Sequence, residues 1–195
     1  MNKIKLLPSK LVDQIAAGEV IERPSSVIKE LIENSIDAEA KNIKISIDNG
    51  GHDYIKIDDD GYGMTAKDLK AAFKRHATSK LSAETDLMDI KTLGFRGEAL
   101  PSIASVSQLI AKSKYVSSND AYKIEINGGE ISDIMPCALA SGTNITIKNL
   151  FFNVPARKKF LKKPLTEQKA ILQVLKYFAL AFPQISFKVK INQKE

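Results

Sequence analysis

The chain has 195 residues, 44% of them hydrophobic, and a formal net charge of +6. That is enough apolar content for one well-filled core in a single unit, and too much for a disordered tail. No run of about eighteen apolar residues occurs, and the apolar part of the start, Met1 to Pro8, is too short for a secretory signal. The expected setting is therefore intracellular, cytoplasmic in a bacterium and nuclear in a eukaryote, with no membrane partner. A lone Cys137 excludes an internal disulfide, and His52 and His76 have no partners at metal-ligand spacing. The positive balance favours acidic partners, nucleic acid foremost.

A first helix is predicted from about Ser9 to Ala17, followed by Gly18. The second starts at Pro24 or Ser25, where a proline suits the first turn and the serines can satisfy free amides, and it ends near Asp37 and Ala38. At about 100° per residue, Glu30, Glu33, Asn34 and Asp37 share one stripe, while Ile28, Leu31, Ile32 and Ile36 fill the opposite arc. Such a stripe can serve a ligand: Glu30 orients and deprotonates a water, and the Asn34 amide oxygen holds a magnesium ion. The same pattern also suits a solvated helix face.

Ile43, Ile45 and Ile47 alternate with polar residues, Asn49, Gly50 and Gly51 can turn, and Ile55 and Ile57 resume the alternation. This is a hairpin with one buried face. Asp59 has the parity of Ile55 and Ile57, which points its carboxylate to the core side and obliges it to find donors. A purine amine, reached directly and through water, is one supply. Gly61 and Gly63 allow tight turns and close approach of backbone to ligand, although an ordinary Asp-Gly turn uses the same residues. Thr65 and Asp68 resemble a capping box for a helix with Leu69, Ala72 and Phe73 as its apolar stripe, and a donor-rich loop, His76 to Lys80, comes after it.

Gly94 to Leu100 sets two glycines and Arg96 before a helix from about Glu98 to Ser105. Amides at a helix start carry partial positive charge and Arg96 can add a charge-assisted donor, so the segment suits phosphate. A surface arginine and a glycine cap also account for Arg96 and Gly94. No Gly-x-x-x-x-Gly-Lys-Ser/Thr sequence is present, which leaves a P-loop mechanism unsupported. From Ser107 the pattern turns to strands, Leu109 to Ala111, Tyr122 to Ile126, Glu130 to Met135 and Asn144 to Lys148, with Asn127, Gly128 and Gly129 joining the second to the third. The densest basic run, Arg157, Lys158, Lys159, Lys162 and Lys163, fits either a DNA phosphate-contacting patch with salt-dependent binding or a solvated surface. A helix from about Leu165 to Ala181 and a strand from Ile185 to Ile191 complete the order. The fold class is α+β, a two-layer sandwich with helices on one face of a mixed, largely antiparallel sheet. With no obvious partner following the last strand, the chain is expected to be part of a longer protein.

Gln14 to Val20, Glu22 to Pro24, Lys29 to Ala38, Asp59 to Gly63, Arg75 to Lys80, Gly94 to Leu100 and Pro155 to Arg157, in this order, resemble the N-terminal ATPase domain of the MutL family of DNA mismatch repair proteins. That family lies within the GHKL superfamily, whose ATP-binding fold is the Bergerat fold. The similarity runs from about Leu6 to Phe160. It implies an arm over residues 1–20 that adds to a dimer contact and an ATP-binding domain over 21–195, with a second domain and a C-terminal dimerisation domain outside this chain. It implies Glu30 as general base, Asn34 as magnesium ligand, and Asp59 as the adenine-reading carboxylate with Gly63 and Met64 beside it, while Asp37 and Ala38 join the ATP site. Thr78, Ser79 and Lys80, with Leu93, Gly94, Phe95, Arg96, Gly97, Glu98, Ala99 and Leu100, would form a lid around the phosphates. Thr143, after Gly142, matches the family's Gly-Thr element near the adenine.

The function implied is a slow, magnesium-dependent ATPase that acts as a conformational switch in mismatch repair. ATP would order the lid and pair the N-terminal domains as a homodimer or a related heterodimer, with DNA and a MutS-type mismatch-recognition protein as partners. The family's γ-phosphate lysine lies in the absent second domain, so turnover by this chain is expected to be weak. Asp60 stands where asparagine is common. The alternatives are the ATPase part of a type II topoisomerase, a chaperone or a histidine kinase, against which the lid sequence argues, and a non-enzymatic DNA-binding scaffold.

Overall fold

Alternating isoleucines build the sheet that organises the molecule. The computed structural model describes residues 5, 6, 8–78, 80, 92–94 and 97–192. Two helices, α1 (Ser9–Val20) and α2 (Pro24–Asp37), precede strands β1 (Asn42–Asp48) and β2 (Tyr54–Asp59), which are joined through a 3-10 turn at Asn49–Gly51. Next come α3 (Ala66–Ala71), α4 (Ala99–Ser105), β3 (Gln108–Lys114), β4 (Ala121–Asn127), β5 (Glu130–Ile131), β6 (Met135–Cys137) and β7 (Gly142–Lys148). Helices α5 (Pro155–Phe160) and α6 (Pro164–Ala181) and strand β8 (Ser186–Ile191) complete the described chain.

The strands form one sheet in the order β5-β4-β3-β7-β2-β1-β8, with β6 also pairing β4. Its described pairs are antiparallel except β1 with β8. Register lines up apolar side chains in rows across one face: Ile47, Ile55, Ile147, Leu109 and Ile126 make one, and Ile45, Ile57, Ile145, Ala111 and Ile124 the next. Val27, Ile28, Leu31 and Ile32 of α2 and Ile171 and Leu175 of α6 are buried in the same core. The third row of that face runs Ile43, Asp59, Thr143, Ser113 and Tyr122, so the apolar surface gives way to polar side chains at one end of the sheet. This α+β architecture is the one expected.

Four local expectations need correction. Helix α1 continues through Gly18 to Val20, since a lone glycine costs a helix interior only about 1 kcal/mol, and the Arg157 guanidinium lies where a side chain at Gly18 would be. Asn49–Gly51 winds into a 3-10 turn in place of a plain reversal. The single strand expected from Glu130 to Met135 is two short ones, β5 and β6, each pairing with β4. Pro136 lacks an amide to donate, which restricts such a segment to the edge of the sheet. Helix α5 was not foreseen in the basic run; Pro155 sits in its first turn, where the missing amide is harmless.

Candidate functional site

At the polar end of the sheet, the Asp59 carboxylate is fixed by three donors. Its Oδ1 accepts from the amides of Gly61 at 3.0 Å and Thr143 at 3.2 Å, and its Oδ2 accepts from the Ser35 hydroxyl at 2.9 Å. Burial raises its pKa above the ordinary value of 3.8, against the lowering effect of these three bonds. The donors that its parity demanded therefore come from the chain itself. Ser35 was not among the predicted site residues, yet it sits on the apolar arc of α2 four residues after Leu31, where a hydroxyl needs a partner. Ser113 was also missed. Its hydroxyl accepts from the Met64 amide at 2.8 Å and lies 2.9 Å from the Thr143 hydroxyl, joining β3, β7 and the loop after β2.

That junction requires two glycines. Gly63 and Gly142 have φ of 66° and 68°, and a Cβ would run into the Lys114 carbonyl at the first and the Asp59 carbonyl at the second. Both the backbone conformation and the close approach exclude side chains. On the other side, the Tyr62 amide donates to the Ala38 carbonyl at 3.0 Å, tying the end of α2 to the same loop. Asp60 turns away from this cluster: its carboxylate accepts from the Lys41 and Asn42 amides at 2.8 Å each and from the Asn42 side-chain amide at 2.7 Å. Burial is the largest influence on Asp60 and acts upward, but the bonds from Asn42 and Lys41 outweigh it and lower the pKa. An asparagine could accept the two backbone amides, but its own amide group would face that of Asn42.

A second cluster forms on the polar stripe of α2, where Glu30 and Asn34 are half-buried and the Glu33 and Asp37 side chains are more enclosed. Lys29 Nζ lies 2.8 Å from the Glu33 carboxylate and 3.4 Å from that of Glu30. Burial pushes the Glu33 carboxyl up despite Lys29. Asp37 collects three donors: the Leu93 amide at 3.0 Å on Oδ1, and the Gly94 amide at 3.3 Å and Lys80 Nζ at 2.6 Å on Oδ2. Lys80 Nζ also donates to the Asn34 amide oxygen at 2.9 Å, and the Lys80 backbone amide donates to the Thr78 hydroxyl at 3.1 Å.

The structure thus brings Asp59, Gly63, Met64, Thr143 and Ala38 into one neighbourhood and Asn34, Asp37, Lys80, Leu93 and Gly94 into another, both bordered by α2. Gly97, with φ of 63°, passes close to the Ala77 carbonyl, and Glu98 Oε1 lies 3.7 Å from His76 Nδ1. Ala99 and Leu100 begin α4. The predicted site residues Ser79, Phe95 and Arg96 lie outside the described residues.

The basic run divides. Lys158, Lys159, Lys162 and Lys163 are exposed, but Arg157 is half-buried and turned onto α1, with Nη2 donating to the Ile15 carbonyl at 3.3 Å. Tertiary packing thereby separates Arg157 from the lysines with which its sequence position groups it.

Residues 21–136 match the family model of histidine kinase-, DNA gyrase B-, and HSP90-like ATPases, and the chain belongs to that family. Over 194 residues it is 50% identical to the DNA mismatch repair protein MutL of Caldanaerobacter subterraneus subsp. tengcongensis, covering 100% of this chain and 33% of that protein. It is 53% identical over 184 residues to MutL of Bradyrhizobium diazoefficiens, covering 94% of this chain and 30% of the other. The Aquifex aeolicus MutL ATPase domain complexed with ADP superposes with a TM-score of 0.70 at 31% identity, covering 90% of this chain and 62% of that one. The likeness to MutL therefore extends along essentially the whole chain, which spans about a third of the length of the curated relatives it matches. Among the described residues, no helix is long and apolar enough to cross a membrane.

Proposed function

We propose that this chain binds ATP beside α2 and, within a longer protein, hydrolyses it slowly with magnesium to switch conformation in DNA mismatch repair. The observation that carries the reading is the Asp59 carboxylate, fixed by Ser35, Gly61 and Thr143 at the polar end of an otherwise apolar sheet face. A carboxylate oriented in this way can accept from the exocyclic amine of adenine. The family and the ADP-bound relative support the same assignment.

In this reading Glu30, half-buried on the polar stripe, orients and deprotonates the attacking water. Asn34 and Asp37 fit a hard divalent ion, since an amide oxygen and a carboxylate are oxygen ligands of the kind it takes and already hold a cation, the Lys80 ammonium. When bound, magnesium would supply neutralisation of charge on the transferring phosphoryl group. Thr78, Ser79, Lys80 and the segment from Leu93 to Leu100 would enclose the phosphates, with Ala38, Gly63, Met64 and Thr143 lining the base side.

The wider roles rest on the likeness to MutL. Residues 1–20 would contribute to pairing of N-terminal domains, which ATP promotes. DNA would meet the exposed lysines Lys158, Lys159, Lys162 and Lys163 through its phosphates, and a MutS-type protein would be the recognition partner. The test is calorimetric binding of a non-hydrolysable ATP analogue with magnesium to the intact chain, Asn34→Ala, Asp59→Asn and Glu30→Ala. Saturable binding lost in the first two variants and kept in the third is expected, and a separate turnover assay with ATP and magnesium is expected to find hydrolysis abolished in the third. Unchanged binding in Asp59→Asn, or a rise in hydrolysis in Glu30→Ala, would refute the reading.

A further inference from the structure

Lys80 holds an unusual position for a side chain expected to meet phosphate. Its ammonium is bonded to the Asn34 amide oxygen at 2.9 Å and to Asp37 Oδ2 at 2.6 Å, and only 17% of the side chain is exposed. Asp37 is more enclosed still, with 6% of its side chain exposed. A carboxylate so removed from water requires a compensating charge. The Leu93 and Gly94 amides give it dipoles, whereas among the described residues Lys80 is the full positive charge that reaches it. The partners of this ammonium are the two groups assigned above to a divalent cation. A lysine ammonium and a metal ion on one pair of oxygens repel each other at close range.

We propose that Lys80 is an internal stand-in for the divalent cation, occupying the Asn34 and Asp37 oxygens in the nucleotide-free chain so that the metal is admitted only together with a nucleotide. The inference rests on the assignment of Asn34 as a metal ligand. A free metal ion entering alone must break two charge-assisted bonds and leave the ammonium without a counter-charge. A metal arriving with a nucleotide brings anionic oxygens that can receive the ammonium as it leaves Asp37, so the lysine changes partners without losing compensation. Lys80 thereby acts as a specificity residue, selecting the metal-nucleotide complex over the free metal.

The experiment titrates Mn²⁺, followed by the electron paramagnetic resonance of the unbound ion, into the intact chain, Lys80→Met, Lys80→Gln and Asn34→Ala. Each is measured with and without the non-hydrolysable ATP analogue, and folding is checked by circular dichroism. Without the nucleotide, both Lys80 variants are expected to bind Mn²⁺ at least about tenfold more tightly than the intact chain, the scale of a charge-assisted bond no longer opposing the metal. With the analogue present, that advantage disappears or reverses, because the intact chain then uses Lys80 on the phosphates. Equal, weak Mn²⁺ binding by the intact chain and both folded Lys80 variants, with Asn34→Ala still losing Mn²⁺ in the presence of the analogue, overturns the stand-in role while leaving the metal assignment intact. Full Mn²⁺ binding by Asn34→Ala in the presence of the analogue overturns both together.

Discussion

Replacing Glu167 by alanine tests how the helix that carries the candidate site is anchored. Glu167 is 1% exposed on α6, and its Oε2 accepts from Arg23 Nε at 3.0 Å and Nη2 at 2.8 Å, while its Oε1 accepts from the Lys162 amide at 3.0 Å. Arg23 is the residue before Pro24, at the start of α2, so this carboxylate joins α6 to the helix bearing Glu30 and Asn34. Breaking a buried ion pair from one side typically costs about 3–5 kcal/mol. The Arg23 side chain is 32% exposed and can turn to water, which places the expected loss near the lower limit, about 3 kcal/mol. For a chain of this size that corresponds to a fall in Tm of roughly 6–12 °C. Urea unfolding of the intact chain, Glu167→Ala, Arg23→Met and the double variant gives both the loss and the coupling, which should reach at least about 1 kcal/mol. A Glu167→Ala loss below about 1 kcal/mol with an unchanged m value would refute the anchor.

Asp59 makes a pH-dependent prediction. Burial raises its folded pKa above the ordinary 3.8, so in the window between those two values the folded chain holds more protons than the unfolded chain. Stability contributed by this group is therefore lost as pH rises through the window. Asp59→Asn should flatten that part of the profile and be at least as stable as the intact chain at neutral pH, although it loses the nucleotide analogue. Urea midpoints over a pH series check this, and a profile parallel to that of the intact chain would contradict it. Gly142→Ala should lose analogue binding and at least about 2 kcal/mol, combining left-handed strain with displacement of the Asp59 carbonyl. Gly129→Ala is the control, because a Cβ there meets only ordinary contacts and carries the backbone strain alone, about 1–2 kcal/mol; equal losses in the two variants would show that the close approach at Gly142 is unimportant.

Much of the site was legible because it follows local periodicity. The two-residue alternation of Ile55 and Ile57 placed Asp59 on the inner face, and the helical period grouped Glu30, Asn34 and Asp37 on one stripe; both hold in the structure. Spacing alone could not identify the donors that hold Asp59, because Ser35 and Thr143 lie 24 and 84 residues away in the chain. The same limit applies to Arg157, which periodicity and charge grouped with its neighbouring lysines although it packs on α1.

The sequence by itself determined the apolar face of the sheet, the polar stripe of α2, the glycine-dependent turns and the likeness to MutL, since each depends on residues close in the chain or on their order. Only the tertiary structure decided that β8 joins β1 in parallel, that Glu167 anchors Arg23 and that Lys80 sits on Asn34 and Asp37. Those contacts span 43 to 144 residues. Whether such groups meet is set by how the packed layers bring distant segments together, and a buried charge then selects from what the fold has placed within reach.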